Sequence, residues 1–333
     1  MKRTSLPLLG RRAFMALLGG AAVWPLAARA QQARVPMIGY LRSGSRAFYA
    51  ANEAAFRQGL ASMGFVESRN ITIDYQHADG QYERLPVLAA DLLHQQVAVI
   101  YAADNASATA VKAASPTVPV IFRIGGDPVE LGLVTSLNRP NGNITGVSFV
   151  QTTTSAIRVQ MLHETVPNAG IMGLLVNPAN PSADKEVKEA QEAAHKLGLD
   201  FPVLKASTAE EIDEAFAALR QARAQALLVL GDPFFASRRQ QFAALSLRQG
   251  IPTIYGNREW VDAGGLMSYG ASSVDADRLG GGYVARILKG EKPADLPVQQ
   301  AVKTELILNL IIAKALGITF PLTLLGRADE VIE

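Results

Sequence analysis

The sequence predicts an α/β protein of two lobes, each built on a doubly wound parallel sheet, facing each other across a cleft. A pattern written twice carries that prediction. Between Pro36 and Phe122 the chain reads PMIGYL, then SMGF with NITIDY, then VAVIYAAD, then VPVIF. Between Gly170 and Tyr255 it reads GIMGLLV, KLGLDFPVL, QALLVLGD and IPTIY. Gly39 and Gly173 stand 134 residues apart, as do Gly64 and Gly198, and Pro119 stands 133 before Pro252. Short apolar runs rich in β-branched residues, separated by helical patterns, are the mark of parallel sheets. A chain of 333 residues also exceeds the size at which one core stops growing, and 49% hydrophobic residues suffice for two cores.

Taken in order, VPMIGYL is the first buried strand. Ala54, Phe56, Leu60, Ala61 and Met63 then keep helical spacing up to a stop at Gly64. ITIDY is a strand, Tyr82–His94 a helix with Leu85, Leu88, Leu92 and Leu93 on one side, and VAVIY the next strand. A helix over Ala106–Ala114 stops before Pro116, and VPVIF follows. Asp127-Pro128 with Glu130 reads as a helix start, and the cluster from Asn138 to Asn143 as a turn. The polar run Gln151–Ser155 opens a helix through Ile157, Met161 and Leu162, and the first hinge is placed there. In the second lobe helices are predicted over Ala183–Leu197, Ala209–Arg220 and Phe234–Arg248. After Tyr255 the chain is read as crossing back, with a strand over Gly264–Gly270 and a helix over Val274–Leu288. LKGEKPADLPVQQ crosses once more to a helix over Thr304–Ala315. Lobe 1 is thus expected to hold 31–150 plus 264–291, and lobe 2 151–263 plus 292–333. Gly280, Gly281 and Gly282 fall inside a helical pattern, where each costs about 1 kcal/mol against alanine, so close helix packing is expected there.

Residues 1–30 read as a targeting segment rather than part of the fold. Arg11-Arg12-Ala13-Phe14 resembles a twin-arginine signal, an apolar stretch runs to Ala28, and Ala28-Arg29-Ala30 is an A-x-A cleavage site. The mature chain is expected to begin at Gln31 in the periplasm. The segment holds five basic residues and no acid, so a pI near 8.8 misleads. The mature body carries 27 basic against 30 acidic residues, which gives no electrostatic reason to expect nucleic acid or an anionic membrane. With no cysteine there is no disulfide, thiol nucleophile or thiolate metal site. His77, His94, His163 and His195 are isolated, and no G-x-S-x-G elbow, Walker A loop or G-x-G-x-x-G after the first strand is present. No catalytic constellation and no cofactor site follow from these residues.

Polar residues at the carboxyl ends of strands are the candidate site, because open α/β sheets bind ligands there. Asp104, Asn105 and Ser107 flank a helix N-terminus suited to a carboxylate, or serve as its cap. Asp127 and Asp232 each precede proline, which favours capping, yet a buried acid in a cleft also suits an ammonium group. Ser43 ends the first strand and Asn177 its counterpart. Tyr255, Glu259 and Trp260 are placed in the second crossover, where an aromatic either stacks on a ligand or packs.

These segments carry a resemblance. RRAFMALLGGAAVWPLAARAQQ, FRQGLASMGFVESRNITIDY, GDPVELGLVTSLNRPNGNITGV, GGLMSYG, ILKGEKPADLPVQQ, KALGITFP and RADEVIE together resemble the ABC-transporter substrate-binding family that includes binders of tryptophan and other aromatic amino acids. The resemblance spans essentially the whole chain. It implies a type I periplasmic binding protein with three interlobe crossovers, monomeric, delivering a small solute to an inner-membrane ABC permease. An exported α/β enzyme on a small metabolite, separable by a turnover assay, is a second class of reading. A ligand sensor docking to a membrane receptor is a third.

Overall fold

Each half of the repeat builds its own sheet. The computed structural model describes residues 35–114, 117–149, 152–300 and 304–333, so the targeting segment lies outside the described residues. The first half runs β1 (Met37–Arg42), α1 (Ala50–Ser62), β2 (Thr72–His77), a 3-10 turn (Tyr82–Arg84), α2 (Leu85–His94), β3 (Val99–Ala102), α3 (Asn105–Ala114), β4 (Val120–Ile124) and β5 (Ile144–Ser148). The second runs α4 (Thr152–Thr165), β6 (Met172–Val176), α5 (Ala183–Lys196), β7 (Val203–Lys205), α6 (Ala209–Gln221), β8 (Ala226–Val229), α7 (Pro233–Ser237), α8 (Arg239–Gln249), β9 (Thr253–Tyr255) and α9 (Arg258–Asp262). After these come β10 (Met267–Ala271), α10 (Ser273–Leu288), β11 (Gln299–Gln300), β12 (Thr304–Asn309), α11 (Leu310–Ala315), α12 (Leu322–Leu325) and β13 (Glu330–Ile332).

The strands order as β11-β5-β4-β3-β1-β2 in one sheet and β13-β12-β10-β9-β8-β6-β7 in the other. The shared order β2-β1-β3-β4 and β7-β6-β8-β9 shows that the written repeat is a structural one. Strands pair in parallel throughout both sheets except for β10 against β12. Strand order reverses between β1 and β3, and again between β6 and β8, which opens a crevice at the strands' carboxyl ends. Alternation along the strands sends side chains to both faces: Ile38 and Tyr40 pack with Phe56 and Tyr101, whereas Leu41 packs with Leu85 and Leu92. Gly64 and Gly198 end α1 and α5 with φ of 93° and 70°, a left-handed turn that explains their matching positions in the two halves. Among the described residues no helix is long and apolar enough to cross a membrane.

The chain changes sheet three times, and the structure corrects where. β5 ends the first-lobe run at Ser148, and α4 begins at Thr152 packed on α5, so the chain passes from one sheet to the other between these elements. The second does not follow Tyr255. β10, assigned from sequence to lobe 1 within 264–291, pairs with β9 and β12 in the second sheet. The chain leaves only at Ser272, and α10 then packs against α1 in lobe 1. Similarly, Gln299-Gln300 pairs with β5 in the first sheet, so the stretch from 292 to 300 belongs with lobe 1 rather than lobe 2. Thr304–Asn309, expected as helix, is the antiparallel strand β12, and only Leu310–Ala315 is helical. Its apolar run TELILN is too short for periodicity to separate the two states. The stretch after Asp127 forms turns instead of a helix, and the segment from Phe234 to Arg248 breaks at Arg238 into α7 and α8.

The glycine run in α10 is a packing device. A Cβ at Gly281 would stand 2.1 Å from the Phe56 carbonyl oxygen, and one at Gly280 would stand 2.5 Å from the Tyr101 ring. Across the same contact, a Cβ at Gly59 would meet the Arg278 carbonyl at 2.0 Å. Helices α1 and α10 thus approach backbone to backbone, and this fixes the returning helix against β3, β4 and β5 of the first sheet.

Candidate functional site

A small cavity lies between the two lobes and is lined from both. Lobe 1 contributes Tyr49, Tyr82, Asp104, Asn105, Arg123 and Phe149, and lobe 2 contributes Asn180, Asp232, Asn257 and Trp260, with Ser273 at the second passage. Four aromatic rings and three charged groups therefore face one small space.

Local chemistry explains each wall. Asp104 begins α3 in a reciprocal cap: its Oδ1 accepts from Ser107 N–H at 2.8 Å, and Ser107 Oγ accepts from Asp104 N–H at 3.0 Å. Its Oδ2 accepts from the Ser43 backbone N–H at 2.7 Å and from the Ser43 hydroxyl at 2.8 Å, joining the ends of β1 and β3. Asn105 Oδ1 accepts from Gly125 and Gly126 N–H, which fixes the loop after β4. Asp232 caps α7, its Oδ1 accepting from Phe234 and Phe235 N–H and from Asn177 Nδ2 at 3.1 Å. Burial raises the Asp232 pKa, while hydrogen bonds from Tyr82, Asn177, Phe235 and Asn180 oppose the rise. Trp260 stacks on Tyr255 with centroids 4.5 Å apart and planes 12° apart, meets Phe242 edge-on at 5.3 Å, and borders the cavity.

Arg123 is the chemical centre of lobe 1. It is 5% exposed, its guanidinium lies 4.2 Å from the Phe149 ring centroid, and its Nε is 3.5 Å from Asp277 Oδ2. Two further contacts, to the Ala103 and Ser273 carbonyls, are long at 3.4 Å, and Nε makes no hydrogen bond. Asp277 is shared. It is fully buried and accepts from Arg42 Nη2 at 2.9 Å, Tyr101 OH at 2.7 Å and Asn52 Nδ2 at 2.7 Å. Arg42 in turn lies 3.9 Å from the Tyr49 ring centroid, behind that cavity wall. Two buried guanidiniums on one carboxylate leave cationic character at Arg123, where it borders the cavity.

The lobes touch across the cleft. Tyr82 OH donates to Asp232 Oδ2 at 2.6 Å, Asn105 Nδ2 donates to Ser182 Oγ at 2.7 Å, and Arg239 lies over the Phe48 ring at 4.1 Å. These contacts bridge the two lobes beside the cavity.

Of the residues singled out from sequence, Asp104, Asn105, Asp232 and Trp260 line this cavity together. Ser43 and Ser107 stand behind Asp104, Asn177 behind Asp232, and Tyr255 behind Trp260. Glu259 accepts from Ser273 Oγ at the second passage. Asp127 caps its own turn through Val129 and Glu130 N–H and does not line the cavity. Tyr255, Glu259 and Trp260 lie in lobe 2 rather than in a crossover, because β10 follows them in the second sheet. Arg123, Tyr49, Tyr82, Phe149, Asn180 and Asn257 were not foreseen. Only Arg123 carries a sequence signal, a lone charge in the apolar strand VIFRI.

Behind the lobe 2 wall, Glu186 is 2% exposed and its Oε2 has no hydrogen-bond partner. It shares a small hollow with Asn177, Asn180 and Asp232. Burial pushes its pKa up to about 7, against the pull of Arg158, with Glu189 and Asp232 adding to the rise. A raised carboxyl pKa favours the protonated form in the folded state, so its penalty is absent below the ordinary glutamate value and grows as pH climbs to about 7. Glu186→Gln is therefore expected to raise the melting temperature at pH 8 and change it little at pH 4.5, as thermal unfolding across that range will read. An equal gain at both pH values would refute the assignment.

Comparison with known proteins gives a consistent answer. Residues 47–332 match the family model described as ABC transporter substrate binding protein. The chain is 27% identical over 264 residues to a tyrosine-binding protein of Clostridioides difficile, covering 78% of this chain and 75% of that protein. It superposes with TM-score 0.82 on an ABC domain from Streptococcus pneumonia in complex with L-Trp, at 26% identity over 89% of this chain and 99% of the other. With the ligand-free, open structure of a substrate-binding protein with adhesive properties from Clostridium difficile the TM-score is 0.64, at 25% identity over 90% and 99%. The fold is that of the type I periplasmic binding proteins, and the chain belongs to the ABC transporter substrate-binding protein family.

Proposed function

We propose that this protein is the exported solute-binding component of an ABC uptake transporter and binds an aromatic L-amino acid between lobes that close on it. The observation that carries the reading is the composition of the cavity: Tyr49, Tyr82, Phe149 and Trp260 around Arg123, Asp104 and Asp232. Aromatic walls suit a ring ligand. A buried guanidinium suits an α-carboxylate. Asp104 and Asp232, one from each lobe, suit an α-ammonium and would draw the lobes together around it. The tyrosine-binding and tryptophan-bound relatives support the ligand class. The closer match to the tryptophan complex than to the open, ligand-free relative supports hinge closure as the mechanism. In this reading residues 1–30 are removed on export, the mature monomer begins at Gln31, and the closed form docks to an inner-membrane permease. No covalent chemistry is involved.

A thermal-shift screen of the mature chain against the twenty L-amino acids tests this. Tyrosine or tryptophan at a hundred times its dissociation constant should stabilise by about 2.7 kcal/mol. Stabilisation by none of the aromatic amino acids, with a clear shift from another solute, would overturn the ligand assignment.

A further inference from the structure

We propose that Tyr82 and Ser182 act as a pair of latches between the lobes, so that the chain rests in the bridged arrangement before a ligand arrives and opens to admit one. The inference rests on the hinge reading above and not on the identity of the ligand.

Each latch joins a turn of lobe 1 to the start of a helix in lobe 2. The turn after β2 takes left-handed backbone at Asp79 and Gly80, with φ of 54° and 86°. It is tied to the end of β1, where the Arg42 and Ser43 carbonyls accept from Ala78 N–H at 3.0 Å and Gly80 N–H at 2.7 Å. A Cβ at Gly80 would stand 3.1 Å from the Phe234 ring of α7, so glycine lets this turn rest on the other lobe. The same turn delivers the Tyr82 hydroxyl to Asp232, the cap of α7, at 2.6 Å. Burial and the adjoining carboxylate hold the phenol's pKa well above its ordinary value, which keeps it a donor. The second latch lies at α5. Ser182 precedes that helix yet its side chain caps none of the N–H groups. Its hydroxyl accepts instead from Asn105 Nδ2 of lobe 1 at 2.7 Å. Asn105 is fixed from behind, its Oδ1 accepting from Gly125 and Gly126 N–H. A Cβ at Gly126 would stand 2.7 Å from the Ser182 hydroxyl, so the approach of the two lobes leaves no room for a side chain there.

The two bonds differ in weight. A short O–H···O⁻ bond is charge-assisted and stronger than a neutral one. Separating the lobes breaks it and gives Asp232 water in exchange, which shifts the ratio of bridged to separated chains by about tenfold. The neutral bond from Asn105 to Ser182 adds about threefold. Lys185 and Glu130, 2.5 Å apart, also join the lobes, but both side chains are partly exposed and water screens such a pair. A latch that persists in the complex slows opening of the free and the bound chain alike. Weakening it therefore speeds entry and exit together, and affinity moves far less than either rate. Loss of a residue that only touches the ligand acts chiefly on dissociation.

The chain has no cysteine, so Val87→Cys on α2 and Leu247→Cys on α8, both exposed sites, place one spin label on each lobe of the mature protein. Interlobe distances are read without ligand in this labelled parent, in Tyr82→Phe and in Tyr82→Phe with Ser182→Ala. The parent should give one short distance. A longer distance should appear in Tyr82→Phe and grow in the double variant, with a cooperative thermal transition retained in each. Should Tyr82→Phe unfold, Ser182→Ala alone, which removes no capping bond, repeats the distance test at the second latch. In stopped-flow mixing with L-tyrosine and L-tryptophan, association and dissociation should both quicken about tenfold in Tyr82→Phe, while the dissociation constant changes by about threefold or less. The same ligand-free distances in all the proteins, or a loss of affinity carried by dissociation alone, would overturn the latches and leave the aromatic amino-acid reading intact. Failure of both amino acids to bind would overturn that reading, and the ligand-free distances would still decide the latches.

Discussion

Replacing Arg123 with methionine is expected to weaken tyrosine or tryptophan binding by about a hundredfold or more. Truncating one partner of a buried, hydrogen-bonded charge pair costs about 2–5 kcal/mol, and methionine keeps the volume that rests on Phe149. The loss should be specific to the carboxylate. Wild-type protein should discriminate strongly between an aromatic amino acid and its amide, and in Arg123→Met that discrimination should disappear. Folding should survive, because Asp277 keeps Arg42, Tyr101 and Asn52 as partners. Calorimetry with L-tyrosine and L-tyrosinamide measures both quantities. Undiminished affinity in Arg123→Met would remove Arg123 from the site.

Asp277→Asn should be the most damaging single substitution to stability. It strands two buried guanidiniums, Arg42 and Arg123, in the interior that Asp277 neutralises. Breaking a buried ion pair from one side costs about 3–5 kcal/mol, so a clear fall in melting temperature is expected. Adding Arg42→Met should recover part of that loss, since the double variant leaves one fewer unpaired charge. A second substitution that deepens the loss additively would show that the charge balance is not what Asp277 supplies.

How much of this was legible in the sequence depends on the range over which each signal acts. The repeated strands and the capping acids are local, so Asp104 and Asp232 could be placed at helix starts from their neighbours alone. Both line the cavity as well as capping, so the two readings of each residue were never exclusive. The lobe passages are not local. β10 and β12 pair antiparallel across more than thirty intervening residues, and nothing in GGLMSYG indicates which sheet it will join. Arg42, Arg123 and Asp277 illustrate the same limit in the site. A lone arginine in VIFRI signals an unusual burial, but its partner lies more than 150 positions away on a helix that returns from the other lobe. Tyr49 and Tyr82 sit in turns before helices, where the sequence carries no hint that they face a cleft.

The central claim is that the interlobe cavity takes an aromatic amino acid, and calorimetric titration of the mature chain with L-tyrosine and L-tryptophan tests it most directly. The account predicts saturable binding at one site per chain, with a negative heat-capacity change from burial of the ring, and loss of that binding in Arg123→Met. Absence of heat with either amino acid, alongside one-site binding of a non-aromatic solute, would contradict it.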